Sequence, residues 1–187
     1  MSKVIVGYFI YGPDNGGIFL DGAPSDLFCP KCGLLLSSGE NYAPENLHTG
    51  RIYPFSFTND NRPICSSEFV STALTSDPDG VSFVGVSKDK DLFLVSPRRK
   101  VTLDYARRKT IFANKCNLCG HYAEIAGASP GFIKDASTID PNGFYRTDVS
   151  FGSGKAQAPA VITGTRLKEI IDVKGFLGVY FKPIFLE

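Results

Sequence analysis

Two hydrophobic periods alternate along the chain. Residues 3–11, KVIVGYFIY, are β-branched and aromatic and stop at the turn sequence GPDNGG, which predicts a strand. A different spacing follows Ser66 and Ser67. Phe69 with Ala73, and Val70 with Leu74, fall on one helical face. That helix breaks at DPDG and gives way to an alternating strand over 80–86. The same order recurs near the end. Gly164 and Thr165 open a helix carrying Leu167, Ile170 and Ile171, VKGFLG breaks it, and a strand is expected over 178–184.

Between these units the pattern predicts shorter strands over 92–95, 100–105, 110–113, 121–125, 144–149 and 160–163. The small polar run SFGSGKAQAP, 150–159, predicts a mobile loop. The expected fold class is α+β, mostly antiparallel strands with two short helices. It is read as one domain, 1–187, built of two diverged halves, about 1–87 and 88–187.

Composition narrows the class. The chain has 187 residues, 43% of them apolar, enough to bury a core. Twenty basic against 19 acidic residues leave a net charge of +1, so no general field favours nucleic acid or anionic lipid. No apolar run approaches the about 18 residues of a membrane span. The N-terminal run lacks a small-residue cleavage site and does not read as a signal peptide. A cytoplasmic location is expected, where thiols and metal ligands outnumber disulfides.

Five cysteines carry the distinctive chemistry. Cys29 and Cys32 lie in FCPKCG, and Cys116 and Cys119 in KCNLCG. Two thiolates two residues apart can face one ion while the backbone turns beneath them. The glycine after the second cysteine accepts the left-handed conformation that ends the turn. Two such turns fill a tetrahedral structural zinc site with no open position. The separation far exceeds the about 15–20 residues usual in a simple ribbon, so the site would tie distant parts of the chain together. Cys65 stands apart among apolar neighbours and reads as a buried free thiol. His121 abuts the second motif as a bystander, and His48 lies in a polar loop facing solvent.

Enzyme signatures are weak. FGSGKA lacks the spacing and the following hydroxyl of a phosphate loop, and no H-E-x-x-H or G-x-S-x-G is present. Asp77/Asp79 and Asp89/Asp91 read as turns. The protein is therefore not expected to be an enzyme. A zinc-ribbon nucleic-acid binder is the alternative, with Arg98, Arg99, Lys100, Arg107, Arg108 and Lys109 lining a phosphate path. The segment ENYAPENLHTGRIYPFSF offers Tyr42, Tyr53, Phe55 and Phe57 either to a partner or to the core, and their size favours the core.

The paired C-x-x-C-G motifs, followed by GFYRTDV and the terminal TRLKEIIDVKGFLGVYFKPI, resemble the double-CXXCG motif proteins of myxobacteria. Cys29, Cys32, Cys116 and Cys119 match that family's motif cysteines. The resemblance implies an immunity protein that binds and neutralises a cognate toxin, with zinc in a structural role.

Overall fold

The computed structural model describes residues 3–88 and 91–186, so Asp89 lies outside the described residues. The fold is α+β and mostly strand. In chain order the elements are β1 (Ile5–Tyr11), β2 (Phe55–Phe57), β3 (Pro63–Ser66), α1 (Ser67–Ser76), β4 (Val81–Gly85), β5 (Leu92–Pro97), β6 (Lys100–Val101), α2 (Tyr105–Arg108), β7 (Ile111–Lys115), β8 (Tyr122–Ala126), β9 (Gly131–Ile133), β10 (Phe144–Ser153), β11 (Ala158–Gly164), α3 (Thr165–Lys174) and β12 (Tyr180–Leu186). Two sheets form. The larger runs β7-β8-β10-β11-β1-β12-β9 with β6 beside β10, and the smaller runs β2-β3-β5-β4. Pairing is antiparallel except at β10–β6 and β12–β9.

β1 shows why its run of apolar residues does not alternate cleanly. Phe9 and Ile10 point to opposite faces and both are buried, in different core clusters. A strand covered on both faces reads as a continuous apolar run. Ile10 faces the main core, where α1 and α3 bring Phe69, Ala73, Leu167 and Ile171 against Phe55, Val95, Phe144 and Val161 of the two sheets. Phe9 faces a second cluster with Val101, Ile133, Tyr145 and Ile184. A third, of Phe19, Leu20, Phe28, Leu47 and Ile64, underlies the first C-x-x-C motif.

The two helix–strand units adopt matching topologies. β3 and β4 flank α1 in sequence and both pair with β5. β11 and β12 flank α3 and both pair with β1. The two helices pack on each other. Each unit takes its central strand from outside the helix–strand segment. Neither helix start uses a hydroxyl cap: Ser66 makes no side-chain capping bond, and at α3 the Pro141 carbonyl accepts from the Arg166 and Leu167 amides instead.

Two sequence expectations change. Residues 100–105 are not one strand. After two paired residues the Asp104 carboxylate accepts from the Arg107 amide at 3.0 Å and starts α2, a one-turn helix closed by Lys109 in the left-handed region. Residues 150–159 are not a mobile loop. β10 continues to Ser153, one short turn follows, and β11 begins at Ala158, with Ser150 opposite Pro159. Here backbone pairing holds small polar residues that carry no hydrophobic signal. Among the aromatics of residues 40–57, Phe55 joins the core, as its size favours. It is 0% exposed, while Tyr42 packs edge-on to Phe19.

Asp77 fastens α1 to the larger sheet. Its carboxylate accepts from the Phe144 amide at 2.7 Å and the Gly80 amide at 3.1 Å, and pairs with Arg99. Asp77→Ala strands a buried amide at the start of β10, so it is expected to cost about 2–3 kcal/mol. A urea midpoint equal to that of the unmodified protein would contradict this role.

Candidate metal centre

Two equivalent turns build the centre. In the first, the Cys29 amide donates to the Leu34 carbonyl at 2.8 Å and the Gly33 amide to the Cys29 carbonyl at 2.8 Å. In the second, the Cys116 amide donates to the His121 carbonyl at 2.7 Å and the Gly120 amide to the Cys116 carbonyl at 2.9 Å. Gly33 and Gly120 have φ of 71° and 77°, a conformation that a side chain would strain. The second turn caps the β7–β8 hairpin. The first is closed by a bridge between Phe28 and Leu35.

The four predicted cysteines converge. Their sulfurs all lie within 4.8 Å of one another. Cys29 Sγ is 4.0 Å from Cys116 Sγ, and Cys32 Sγ is 3.6 Å from Cys119 Sγ, each pair 87 residues apart in sequence. Disulfides need about 2.05 Å, and these cysteines are free. Four sulfurs about 2.3 Å from one ion in a tetrahedron sit about 3.8 Å apart, which matches the cluster. The Lys31 ammonium also donates to the Asn117 side-chain oxygen, joining the two turns. Nothing in the two motifs singles out this pair, because it exists only once the turns meet.

Electrostatics show what the cluster requires. The Cys32 amide, and then that of Lys31, draw the Cys29 thiol below its usual range. The Cys119 and Leu118 amides draw Cys116 from 9.0 to about 6. At Cys32 the Leu34 amide pulls down, but burial and the sulfurs of Cys29, Cys119 and Cys116 together push the thiol up to about 12. At Cys119 the His121 amide pulls down, and burial with the Cys116 and Cys29 sulfurs outweighs it. The turns thus stabilise some thiolates, and like-charge repulsion resists the rest. A divalent cation removes that repulsion. The four cysteines can hold a metal ion.

In the metal-free, reduced protein the lowered Cys116 thiol makes its own pH-dependent contribution to stability, opposite in sense to that of the raised Cys32 and Cys119 at higher pH. The folded Cys116 value lies below the ordinary 9.0, so this thiol favours folding fully above about 9 and loses that contribution as pH falls through about 6. Thiolate absorbance of the metal-free protein should show a step near pH 6 that Cys116→Ser removes. A first step near the ordinary thiol value would contradict the amide contacts.

The other candidates fall outside the centre. Cys65 is 0% exposed in the main core, and burial pushes its thiol well up. The side chains of His121 and His48 are exposed, and His121 serves the centre only through its backbone. The basic segment is dispersed. Arg99 binds Asp77 and stacks 4.9 Å over Tyr145, Arg107 lies 4.7 Å over Phe132, and Arg108 donates to the Ser129 carbonyl at 2.8 Å.

Fold and centre define a two-sheet α+β protein with a four-cysteine cluster able to hold a metal ion. No protein-family model matches the chain, and no curated protein or solved structure matches it. No helix among the described residues is long and apolar enough to cross a membrane.

Proposed function

We propose that the ion is zinc in a structural role, held by Cys29, Cys32, Cys116 and Cys119 as a ribbon-like clamp, and that the protein acts by binding a toxin in the cytoplasm and neutralising it. The observation that carries the zinc reading is the closed set of four thiolates, which offers no position for substrate. An all-sulfur site also favours zinc over cations that prefer oxygen. The toxin-neutralising reading draws on the resemblance to double-CXXCG immunity proteins. It is supported by exposed apolar residues in the terminal segment that carries part of that resemblance. Val173, in the last turn of α3, and Leu177, just past its end, are 88% and 78% exposed. Large apolar side chains this exposed are available to a protein partner. The nucleic-acid alternative is weakened because Arg99, Arg107 and Arg108 are engaged within the fold.

The test is rescue of growth in a sensitive host that expresses the toxin encoded beside this protein. The metal-loaded protein is expected to restore survivors. Val173→Asp with Leu177→Asp should abolish rescue without moving the thermal midpoint. Failure of the unmodified, well-expressed protein against an active toxin would reject that partner. Salt-sensitive binding to DNA or RNA would then support the nucleic-acid reading.

A further inference from the structure

A sheet edge is a template for a further strand unless it is covered, charged or interrupted. Other edges of this fold are managed in these ways. At β2 the Phe57 amide donates to the Pro13 carbonyl and the Phe57 carbonyl accepts from the Asn15 amide, both at 2.9 Å, so residues 13–15 cover that edge. At β9 the Phe132 carbonyl accepts from the Asp104 amide at 2.7 Å, at the start of α2. The part of β12 that β9 leaves open carries Lys182 and Pro183. β7 carries Lys115 and the left-handed Asn114.

β4 has no such device. It ends the smaller sheet, pairs with β5 alone among the described strands, and its sequence VSFVG holds no charge and no proline. The register decides which of its backbone groups point outward. Just before the strand the Arg98 amide donates to the Gly80 carbonyl at 2.9 Å, and just after it the Val86 amide donates to the Leu92 carbonyl at 3.0 Å. Gly80 and Val86 therefore face β5, and the unbroken register between them makes Ser82 and Val84 face it too. Val81, Phe83 and Gly85 turn their amides and carbonyls the other way, where no described residue bonds them. The Leu47 amide meets the chain beyond the strand, at the Val86 carbonyl, 2.6 Å away. Val84 is 41% exposed, and a Cβ on Gly85 would meet nothing within 4 Å.

We propose that β4 pairs antiparallel with β4 of a second copy of this chain, about a two-fold axis through Phe83. The strand is self-complementary in this register. The outward groups of Val81 meet those of Gly85 in the second copy, and those of Phe83 meet their own counterpart, so each outward amide and carbonyl gains a partner. Phe83 is half-buried against the main core, and its ring meets a second Phe83 ring across the axis. On the other face Val84 covers Ser82 of the copy. Charge agrees at the ends of the strand. Asp79 comes near Lys88 of the copy, both are exposed, and no like charges are brought together within the strand. A single short strand buries little area, so the dimer is weak and concentration-dependent. It uses neither Val173 nor Leu177 and is independent of the toxin-binding reading.

The test is analytical ultracentrifugation of the full-length, metal-loaded protein from about 1 μM to about 1 mM, paired with amide hydrogen exchange read by NMR. A reversible monomer–dimer equilibrium is expected, with a Kd of about 0.1 mM or tighter. The Val81, Phe83 and Gly85 amides should exchange freely in dilute protein and become protected as the dimer forms. Those of Ser82 and Val84 should be protected throughout. Val84→Lys sets like charges on both sides of the axis, and Gly85→Pro removes an outward amide that makes no bond within the chain. Each should weaken the dimer by about tenfold or more without moving the thermal midpoint of the dilute protein. Should Gly85→Pro fail to fold, Val84→Lys and the exchange pattern decide. The proposal is overturned if the chain stays monomeric at about 1 mM, which would leave the edge to a strand of another protein. It is also overturned if a dimer forms without protecting those amides, or if Val84→Lys dimerises with unchanged affinity.

Discussion

Replacing Cys116 with serine is expected to lower the stability of the metal-loaded protein by about 4–5 kcal/mol. The cross-link joins sulfurs 87 residues apart, Cys29 to Cys116 and Cys32 to Cys119. Closing a loop of that length with a covalent bridge restricts the unfolded chain by roughly this amount, and a metal clamp acts on the same entropy. The variant also leaves three thiols crowded together, where burial and then the neighbouring sulfurs hold Cys32 and Cys119 up. Urea unfolding should place the variant and the chelated unmodified protein at nearly the same midpoint. Chelation should then change the variant little, because the clamp is already lost. A variant as stable as the unmodified protein, and still sensitive to chelator, would contradict the clamp.

The second large effect belongs to the core. Phe69 is 0% exposed, and its ring lies 5.0 Å from Phe55, 5.7 Å from Phe176 and 6.3 Å from Phe144. These partners come from β2, the segment after α3, and β10, so one ring joins the smaller sheet, the larger sheet and both long helices. Phe69→Ala removes the transfer free energy of the ring and leaves a cavity that four elements cannot close together. The expected cost is about 3–5 kcal/mol. Metal content should not change, which separates this loss from that of the cysteine variant. An unfolding free energy in urea within about 0.5 kcal/mol of the unmodified protein would show that the core repacks.

These two residues also show what the sequence makes legible. Phe69 is readable because it begins a helical spacing with Ala73. The four cysteines are readable because each motif is a local turn whose geometry the chain encodes within six residues, from Cys29 to Leu34 and from Cys116 to His121. Local encoding explains why both turns follow one hydrogen-bond pattern. Features that depend on long-range pairing are harder to see. Gly152 and Ser153 lie opposite Ile125 and Glu124 of the β7–β8 hairpin, so a polar run becomes the strand that attaches this hairpin to the larger sheet. The α2 turn was masked by apolar Val101 and Leu103, and only Asp104 three residues before Arg107 marks its start. Arg62 was silent for the same reason. Nothing near it in sequence indicates that Asp60, two residues away, will turn to the Phe19 and Leu20 amides and leave Arg62 Nε and Nη2 without an acceptor. The basic segment looked like one surface because its charges are close in sequence. Folding sends Arg99 and Arg108 to different partners.

Metal stoichiometry tests the central claim most directly. Native mass spectrometry of the protein purified without added metal, paired with elemental analysis, reads the number and identity of bound ions. One zinc per chain, lost in Cys32→Ser and in Cys119→Ser, is the predicted result. A chain that carries no metal, or either variant retaining a full equivalent of zinc, would contradict the four-thiolate clamp.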